Sequence, residues 1–495
     1  MNKRLVLKIL GATLLIEAAT MLPSYVVALV YHDPGDGEAL LKTILMMVFL
    51  GLPMWFLSKP RESNLRAREG FVIVALAWLG LSGFGALPFV FSGYLPNYID
   101  ALFEAVSGFT TTGATVVTNF EHYPHGVMFW RSFTHWIGGM GVLVLTLALL
   151  PQMTGRTSHL VRAESPGPSL SKIVPKMGDS AKILYLIYAA LTALQFAVLL
   201  LAGMNPYDAA IHTFGTAGTG GFGIYGDSIA GFSPFLQWAI TIFMIAFGVN
   251  FNVYFLLYMR RPKDALHCEE MHWYLGIIVA AALMICANAY DVAMTLEGNL
   301  RQSFFQVASI ITTTGFATTD FNLWPGFSHG ILVVLMFVGA CAGSTGGGFK
   351  VSRIVIGFKS VLAYLGAFLH PRVVRKVKFE DKDVDGETMR AISVYFTAAI
   401  SLFTISVLLV ALDGFDLVTT FSAVAATFNN VGPGLGVAGP TSNFAAFSDF
   451  SKVVMTMDML LGRLEVFPML MLFYPPLWKE SIGEARIRRN RSPFH

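Results

Sequence analysis

Ten apolar runs, near residues 5–31, 39–58, 71–92, 127–150, 183–203, 233–259, 272–290, 327–366, 390–412 and 450–477, restrict this 495-residue chain more than any other feature. A helix rising about 1.5 Å per residue needs roughly 20 apolar residues to cross a hydrocarbon core of about 30 Å. The runs meet that length. Only 13% of residues are charged, against about 25% in soluble domains, so the sequence predicts an all-α polytopic membrane protein with the lipid bilayer as its solvent. A net charge of +3 suggests no nucleic-acid partner. Cys268, Cys286 and Cys341, odd in number and in or beside apolar runs, define no disulfide framework. The basic start "MNKRLVLKIL" resembles a signal sequence, but a long apolar stretch without an A-x-A site makes it a retained first span.

Lys and Arg gather in alternate connections, around 3–8, 59–68, 156–176, 260–263, 372–378 and 486–491. The opposite connections hold Asp33, Asp36, Asp100, Asp208, Asp291, Asp413 and Asp416 with few bases. By the positive-inside rule the basic side, with both termini, is cytoplasmic.

Four connections on the other side, near 93–126, 204–232, 291–326 and 413–449, are too long and too apolar to be plain hairpins. Each holds a short apolar segment followed by a Gly/Thr/Asn cluster, and a segment that cannot span reads as re-entrant. They run "DALFEAVSGFTTTGATVV", "DAAIHTFGTAGTGGFG", "NLRQSFFQVASIITTTGFATT" and "DLVTTFSAVAATFNNVGPGLG". These are divergent internal repeats. The expected organisation is two N-terminal transmembrane helices (1–68), then four units of helix, re-entrant pore loop and helix in pseudo-fourfold symmetry: 69–155, 182–263, 264–370 with a broken second helix, and 389–480. Cytoplasmic connections occupy 156–181 and 371–388, and 481–495 is a basic cytoplasmic tail.

An Asp or Asn opening a short helix is a good N-cap, which nominates Asp100, Asp208, Asn299 and Asp416. The negative end of each helix dipole then points at its Gly/Thr cluster, where four converging ends favour a dehydrated cation. Irregular backbone inside a membrane must be satisfied by protein, water or an ion, and rings of carbonyls do this in cation channels. The candidate ion-contacting residues are Thr111, Thr112 and Gly113; Thr219, Gly220 and Gly221; Thr313, Thr314 and Gly315; and Asn430, Val431 and Gly432. In the second repeat Gly218, Gly220, Gly221 and Gly223 compete for one role. Gly221 is preferred because Gly221-Phe222 matches Gly315-Phe316. A single "TTTG" would be an ordinary turn; four registered copies between spans argue for a filter.

With "RAESPGP" at 162–168, "AGSTGGGFKVSR" at 342–353 and "MLLGRLEVFPML" at 459–470, these repeats resemble the membrane subunit of bacterial Trk-type potassium uptake systems, in the Trk/Ktr/HKT superfamily. The likeness runs along essentially the whole chain. It implies one filter glycine per unit, potassium as the transported ion with rubidium possible and sodium less favoured, no bound cofactor, assembly as a homodimer, a cytosolic nucleotide-binding regulatory subunit, and the bacterial inner membrane as location. In plant relatives a serine at the first filter position goes with sodium; here Gly113 resembles the potassium-preferring pattern.

The run 327–366 is about twice a span and is interrupted by "GACAGSTGGGFK". Dense glycine unwinds a helix, and the resulting loop survives only where it lines a cavity. By resemblance Gly343, Ser344, Thr345, Gly346, Gly347 and Gly348 form an intramembrane gating loop. Close packing through small residues would explain the glycines but not the length. A phosphate loop fails, because Gly348 is followed by Phe349 before Lys350. Arg463 inside the last span costs from about 2.5 to above 10 kcal/mol unless it finds a partner. Either it opposes the gating loop below the filter, as the resemblance implies, or it pairs with Asp458 or Glu465. Lys350 either joins the gate or snorkels to the interface. Asn250 and Asn252 either line the cavity or bond between helices, while His122, His125 and His212 read as surface histidines.

The function expected is potassium conduction down the membrane potential, gated from the cytosol; the alternative is a proton- or sodium-coupled symporter using the same pore. No nucleophile, carboxylate pair or metal-ligand spacing in the apolar runs supports an enzyme.

Overall fold

A computed structural model describes residues 2–58, 67–118, 120–141, 177–370 and 376–478. The "RAESPGP" stretch, most of the 156–181 connection, residues 142–150 of the 127–150 run and the 481–495 tail lie outside the described residues.

The N-terminal pair, Lys3–Tyr31 and Asp36–Leu57, is an antiparallel helical hairpin. The helices approach through glycine: a Cβ on Gly11 would sit 2.7 Å from Met54 Cβ and 2.9 Å from the Gly51 carbonyl. Without a hydrophobic drive between helices in lipid, such small-residue contacts hold them together. The connecting turn also serves the rest of the molecule. Asp36 accepts from the amides of Gly126 (2.7 Å) and Val127 (3.1 Å), and Asp33 from that of His125 (2.7 Å). The helix His125–Gly139 begins after Pro124, which offers no capping side chain. Two aspartates of the N-terminal hairpin therefore satisfy its free amides.

Four units follow, each with a leading helix, a short pore helix and a trailing helix. The leading helices are Ala67–Gly85 (extended by Leu87–Phe91), Met177–Leu201, Glu269–Asn288 and Gly386–Val410. The pore helices are Tyr98–Phe109, Pro206–Ala217, Leu296–Ile311 and Leu417–Phe428. Apolar side chains such as Leu201, Phe368 and Leu408 are exposed on the periphery, as a lipid-facing surface requires. Seven unbroken helices, and an eighth span if one bent pair is included, are long and apolar enough to cross a bilayer among the described residues.

The trailing helices depart from the sequence expectation of one broken span. His125–Gly139, Pro234–Gly248 and Asp449–Arg463 each run 15 residues and Gly326–Val338 runs 13. At 1.5 Å per residue these stop well short of a hydrocarbon core of about 30 Å. The second continues as Phe251–Tyr258 after a bend of 88°. The third continues as Val351–Leu369 and the fourth as Phe467–Leu472. Glycine sits at the breaks for reasons of space: a Cβ on Gly138 would overlap the Phe109 carbonyl, and one on Gly462 the Phe428 carbonyl. The first and fourth trailing helices thus end pressed on the C-termini of their own pore helices.

Among the described residues the only strands are Lys378–Phe379 and Lys382–Asp383, an antiparallel hairpin in the 371–388 connection. Glu380 and Asp381 turn it with φ of 51° and 57°, the left-handed pair that a two-residue hairpin demands.

Candidate functional site

The four pore helices end identically. Their C-caps are Thr110, Gly218, Thr312 and Asn429, and the next residue, Thr111, Thr219, Thr313 or Asn430, has φ between 56° and 59°. The residue after that returns its amide to the helix at 2.8 Å in every copy: Thr112 to Ser107, Gly220 to Gly215, Thr314 to Ser309 and Val431 to Ala426. This is the Schellman ending, in which the left-handed position usually belongs to glycine. Threonine there is strained by about 1–2 kcal/mol. Each chain then leaves the helix through a second positive φ, at Gly113 (80°), Gly221 (74°), Gly315 (83°) and Gly432 (101°).

That second position resolves the register in the second repeat. Gly221 has the left-handed φ of its three counterparts, whereas Gly218 is right-handed and Gly220 and Gly223 are not among the positive-φ residues. The four segments close a ring. A Cβ on Gly113 would overlap the Gly220 carbonyl, on Gly221 that of Thr314, on Gly315 that of Val431, and on Gly432 would lie 2.7 Å from that of Thr112. Each wall therefore touches the next in the order one, two, three, four, one. The third wall stands across the axis from the first. The carbonyls of Thr112, Gly220, Thr314 and Val431 are the atoms at these four contacts, and four helix C-termini stand behind them.

Of the nominated caps, only Asp416 caps its helix, accepting from the amides of Val418 (2.9 Å) and Thr419 (3.0 Å). The other three are corrected. Asn97, Asn205 and Thr295 cap the first three pore helices, while Asp100, Asp208 and Asn299 lie in or just after the first turn, with other partners. Asp100 pairs with Lys452 of the fourth unit at 2.6 Å, and Asp208 accepts from Tyr225 at 2.7 Å. Asn299 holds the backbone of Asp291 in both directions, at 2.9 and 3.0 Å.

The loop 339–350 lies directly under the ring. The Gly347 amide donates to the Thr313 hydroxyl (2.6 Å) and the Gly348 amide to the Asn429 carbonyl (3.1 Å). A Cβ on Gly346 would sit 2.9 Å from the Thr312 carbonyl and one on Gly347 2.5 Å from that of Asn429, so these glycines allow the loop to touch the pore-helix ends. Arg463 reaches across beneath the ring, donating to the carbonyls of Thr345 (2.8 Å), Gly138 (2.5 Å) and Gly139 (2.8 Å). The two carboxylates the sequence offers it have other partners. Glu465 binds Arg353 at 2.5 Å, and Asp458 accepts from Ser406 at 2.6 Å. Lys350 does not snorkel: it is 2% exposed and donates to the Gly346 carbonyl inside the loop.

Other side chains matter here that the sequence pattern does not mark or marks differently. Glu270 is buried and its carboxylate accepts from Ala342 (2.7 Å), Ser352 (3.1 Å) and Asn250 (3.2 Å), tying both ends of the loop to the bend in the second trailing helix. Asn250 thus caps the helix after that bend and bonds between helices. Buried Glu104 and Arg131 pair at 2.6 Å behind the first wall. His212 is fully buried rather than at the surface, donating from Nδ1 to the Asp208 carbonyl at 2.8 Å. Arg131 and Glu104 had a usable signal, since a charge inside an apolar segment must be paired. Among the described residues no group of three or more His, Cys, Asp or Glu side chains is placed to hold a metal.

A multi-pass membrane protein whose four re-entrant helices aim their carbonyl ends at one ring, with a bonded loop beneath, is of the class that carries cations along its own axis. The chain belongs to the TrkH family, described as cation transport proteins, whose model matches residues 36–278 and 277–480. It is 38% identical over 490 residues to the Trk system potassium uptake protein TrkH of Salmonella typhimurium, covering 97% of this chain and 100% of that one. With the protein of the same name from Halomonas elongata the identity is 36% over 486 residues, again covering 97% and 100%. The crystal structure of the potassium transporter TrkH from Vibrio parahaemolyticus superposes with a TM-score of 0.87 at 34% identity, over 97% of this chain and all of that one.

Proposed function

We propose that this chain is the pore-forming subunit of a potassium uptake system, conducting potassium through the four-walled filter down the membrane potential. The observation that supports the reading is the cyclic contact of four equivalent segments, in which the carbonyls of Gly220, Thr314, Val431 and Thr112 each lie against the glycine of the neighbouring wall. Such a ring replaces the hydration shell of a cation, and the four helix ends supply the compensating negative potential. A unit charge gains about 2.3 kcal/mol per 100 mV, which suffices for accumulation without coupled chemistry. Rubidium fits the same reading and sodium less well.

The loop Gly343–Gly348, Lys350 and Arg463 act as the gate. Two positive side chains, one in the loop and one bonded to it beneath the ring, repel a cation, and their hydrogen bonds hold the barrier shut. A cytosolic nucleotide-binding subunit opens it, the chain works as a homodimer in the bacterial inner membrane, and both termini face the cytoplasm. The full-length likeness to Trk system potassium uptake proteins supports these finer assignments.

The test is reconstitution in liposomes with a potassium gradient, measuring reversal potential between pH 6 and 8. A potential that follows potassium alone is expected; one that moves with proton or sodium gradients would replace the channel by a symporter.

A further inference from the structure

The second wall is the odd one. At the two positions flanking its left-handed residue it has Gly218 and Gly220, where the other walls carry Thr110 and Thr112, Thr312 and Thr314, and Asn429 and Val431. Backbone conformation does not ask for these glycines, since Gly218 has φ −72° and Gly220 is absent from the positive-φ residues. Space does. A Cβ on Gly220 would fall inside the imidazole of His135, and one on Gly218 would overlap the His135 carbonyl. His135 comes from the neighbouring unit. At the same offset from the start of the other trailing helices stand Met244, Met336 and Met459, all fully buried like His135.

His135 does more than fill the gap. Its Nδ1 lies 2.8 Å from the Gly108 carbonyl and its Nε2 accepts from the Phe222 amide at 3.2 Å. The acceptor role at Nε2 assigns the proton to Nδ1, so the neutral ring links the end of the first pore helix to the outgoing strand of the second wall. One turn earlier on the same helix, Arg131 donates to the Gly223 carbonyl at 2.9 Å, lies 3.5 Å over the Phe222 ring and is held by Glu104. A glycine-rich wall has the most conformational freedom to lose. Here two side chains of another unit pin it immediately after the ring.

Resting on the reading of this ring as a potassium filter, we propose that His135 and Arg131 are specificity-determining positioning residues. They hold the second wall so that the Gly220 carbonyl stays level with its three counterparts, and the glycines at 218 and 220 are the matching half of that fit. Ion discrimination by a carbonyl ring depends on where and how firmly the carbonyls are held. Loosening this wall lets the ring contract around sodium.

The experiment compares potassium-to-sodium permeability ratios, from bi-ionic reversal potentials in proteoliposomes, for the full-length protein and the variants His135→Asn, His135→Gln and Arg131→Lys. Asparagine can keep the bond to Gly108 but offers Phe222 no acceptor, whereas glutamine reaches far enough to offer one. The ratio is expected to fall at least threefold in His135→Asn with potassium conduction retained, and to stay within twofold of the parent in His135→Gln. Equal losses in both would make His135 a packing residue only and overturn the proposal, as would an unchanged ratio in His135→Asn. If that variant fails to reach the membrane, Arg131→Lys decides: it keeps a charge for Glu104 but cannot also hold Gly223, so an unchanged ratio overturns the proposal. A parent protein that conducts no potassium would sink the filter reading itself, whereas a selective parent indifferent to these changes would sink only this inference.

Discussion

Arg463 donates to the Thr345 carbonyl at 2.8 Å, binding the broken helix of the fourth unit to the loop of the third directly below the ring. The same guanidinium holds Gly138 and Gly139 of the first unit, so three of the four units meet in one charged group. Hydrogen bonds from a charged donor contribute about 1.5–3 kcal/mol each, and 1.4 kcal/mol is a factor of ten in an equilibrium. Replacing Arg463 with alanine is therefore expected to raise rubidium uptake into liposomes about tenfold or more. Flux at or below the parent's would mean that the arginine only braces the fold.

The first wall allows a sharper change. Gly113 has φ +80°, and a Cβ there would overlap the Gly220 carbonyl. Gly113→Ser must shift the first two walls apart to relieve that contact. The potassium-to-sodium permeability ratio is expected to fall several-fold while current persists. An unchanged ratio in the same bi-ionic measurement would count against Thr112 and Gly220 as ion-facing carbonyls.

Most of the architecture was legible because the bilayer leaves few options for a chain with this hydropathy. Spans, repeats and re-entrant segments follow from length and apolarity alone, and the glycines 113, 221, 315 and 432 from aligning four copies. What escaped were features set by contact across repeats. The cap positions at Asp100, Asp208 and Asn299 were misread because an acidic or amide residue in the first turn looks like a cap from composition, while the true caps, Asn97, Asn205 and Thr295, stand one turn earlier. The breaks at Gly248 and Gly462 were hidden inside runs whose apolarity continues across them. Glu270 carries no local pattern; its meaning comes from Ala342 and Ser352, more than seventy residues away.

The corrected caps can be tested directly. Asn205 accepts from the Asp208 amide at 2.8 Å, and losing an N-cap costs about 1 kcal/mol. Asn205→Ala is expected to lower thermal stability in detergent by a few degrees, and Asp416→Ala likewise. Asp208→Asn keeps an acceptor for Tyr225 and should change it little. A melting temperature unchanged in Asn205→Ala would remove Asn205 as the cap.

Glu270 is also reached from outside the membrane. Its amide donates to Glu380 at 3.1 Å, and the Cys268 thiol donates to the same carboxylate at 3.4 Å. Glu380 is at the tip of the hairpin formed by Lys378–Phe379 and Lys382–Asp383, so that hairpin is fastened to the residue that holds the loop ends. Burial, with the Glu380 charge adding to it, pushes the Cys268 thiol up to about 12. The thiolate is the reactive form, and a free thiol titrates near 8.5. At pH 8 alkylation of Cys268, followed by mass spectrometry, is expected to run about a thousandfold below an unperturbed thiol, and to keep rising with pH through 10 where an ordinary thiol has levelled off. Removing the neighbouring charge in Glu380→Gln lowers the thiol's pKa and should accelerate alkylation at fixed pH. Because the hairpin docks through that carboxylate, potassium flux measured on the same variant reads whether the docking also restrains the loop: increased flux ties the hairpin to the gate through Glu270, and flux equal to the parent's with accelerated labelling separates them.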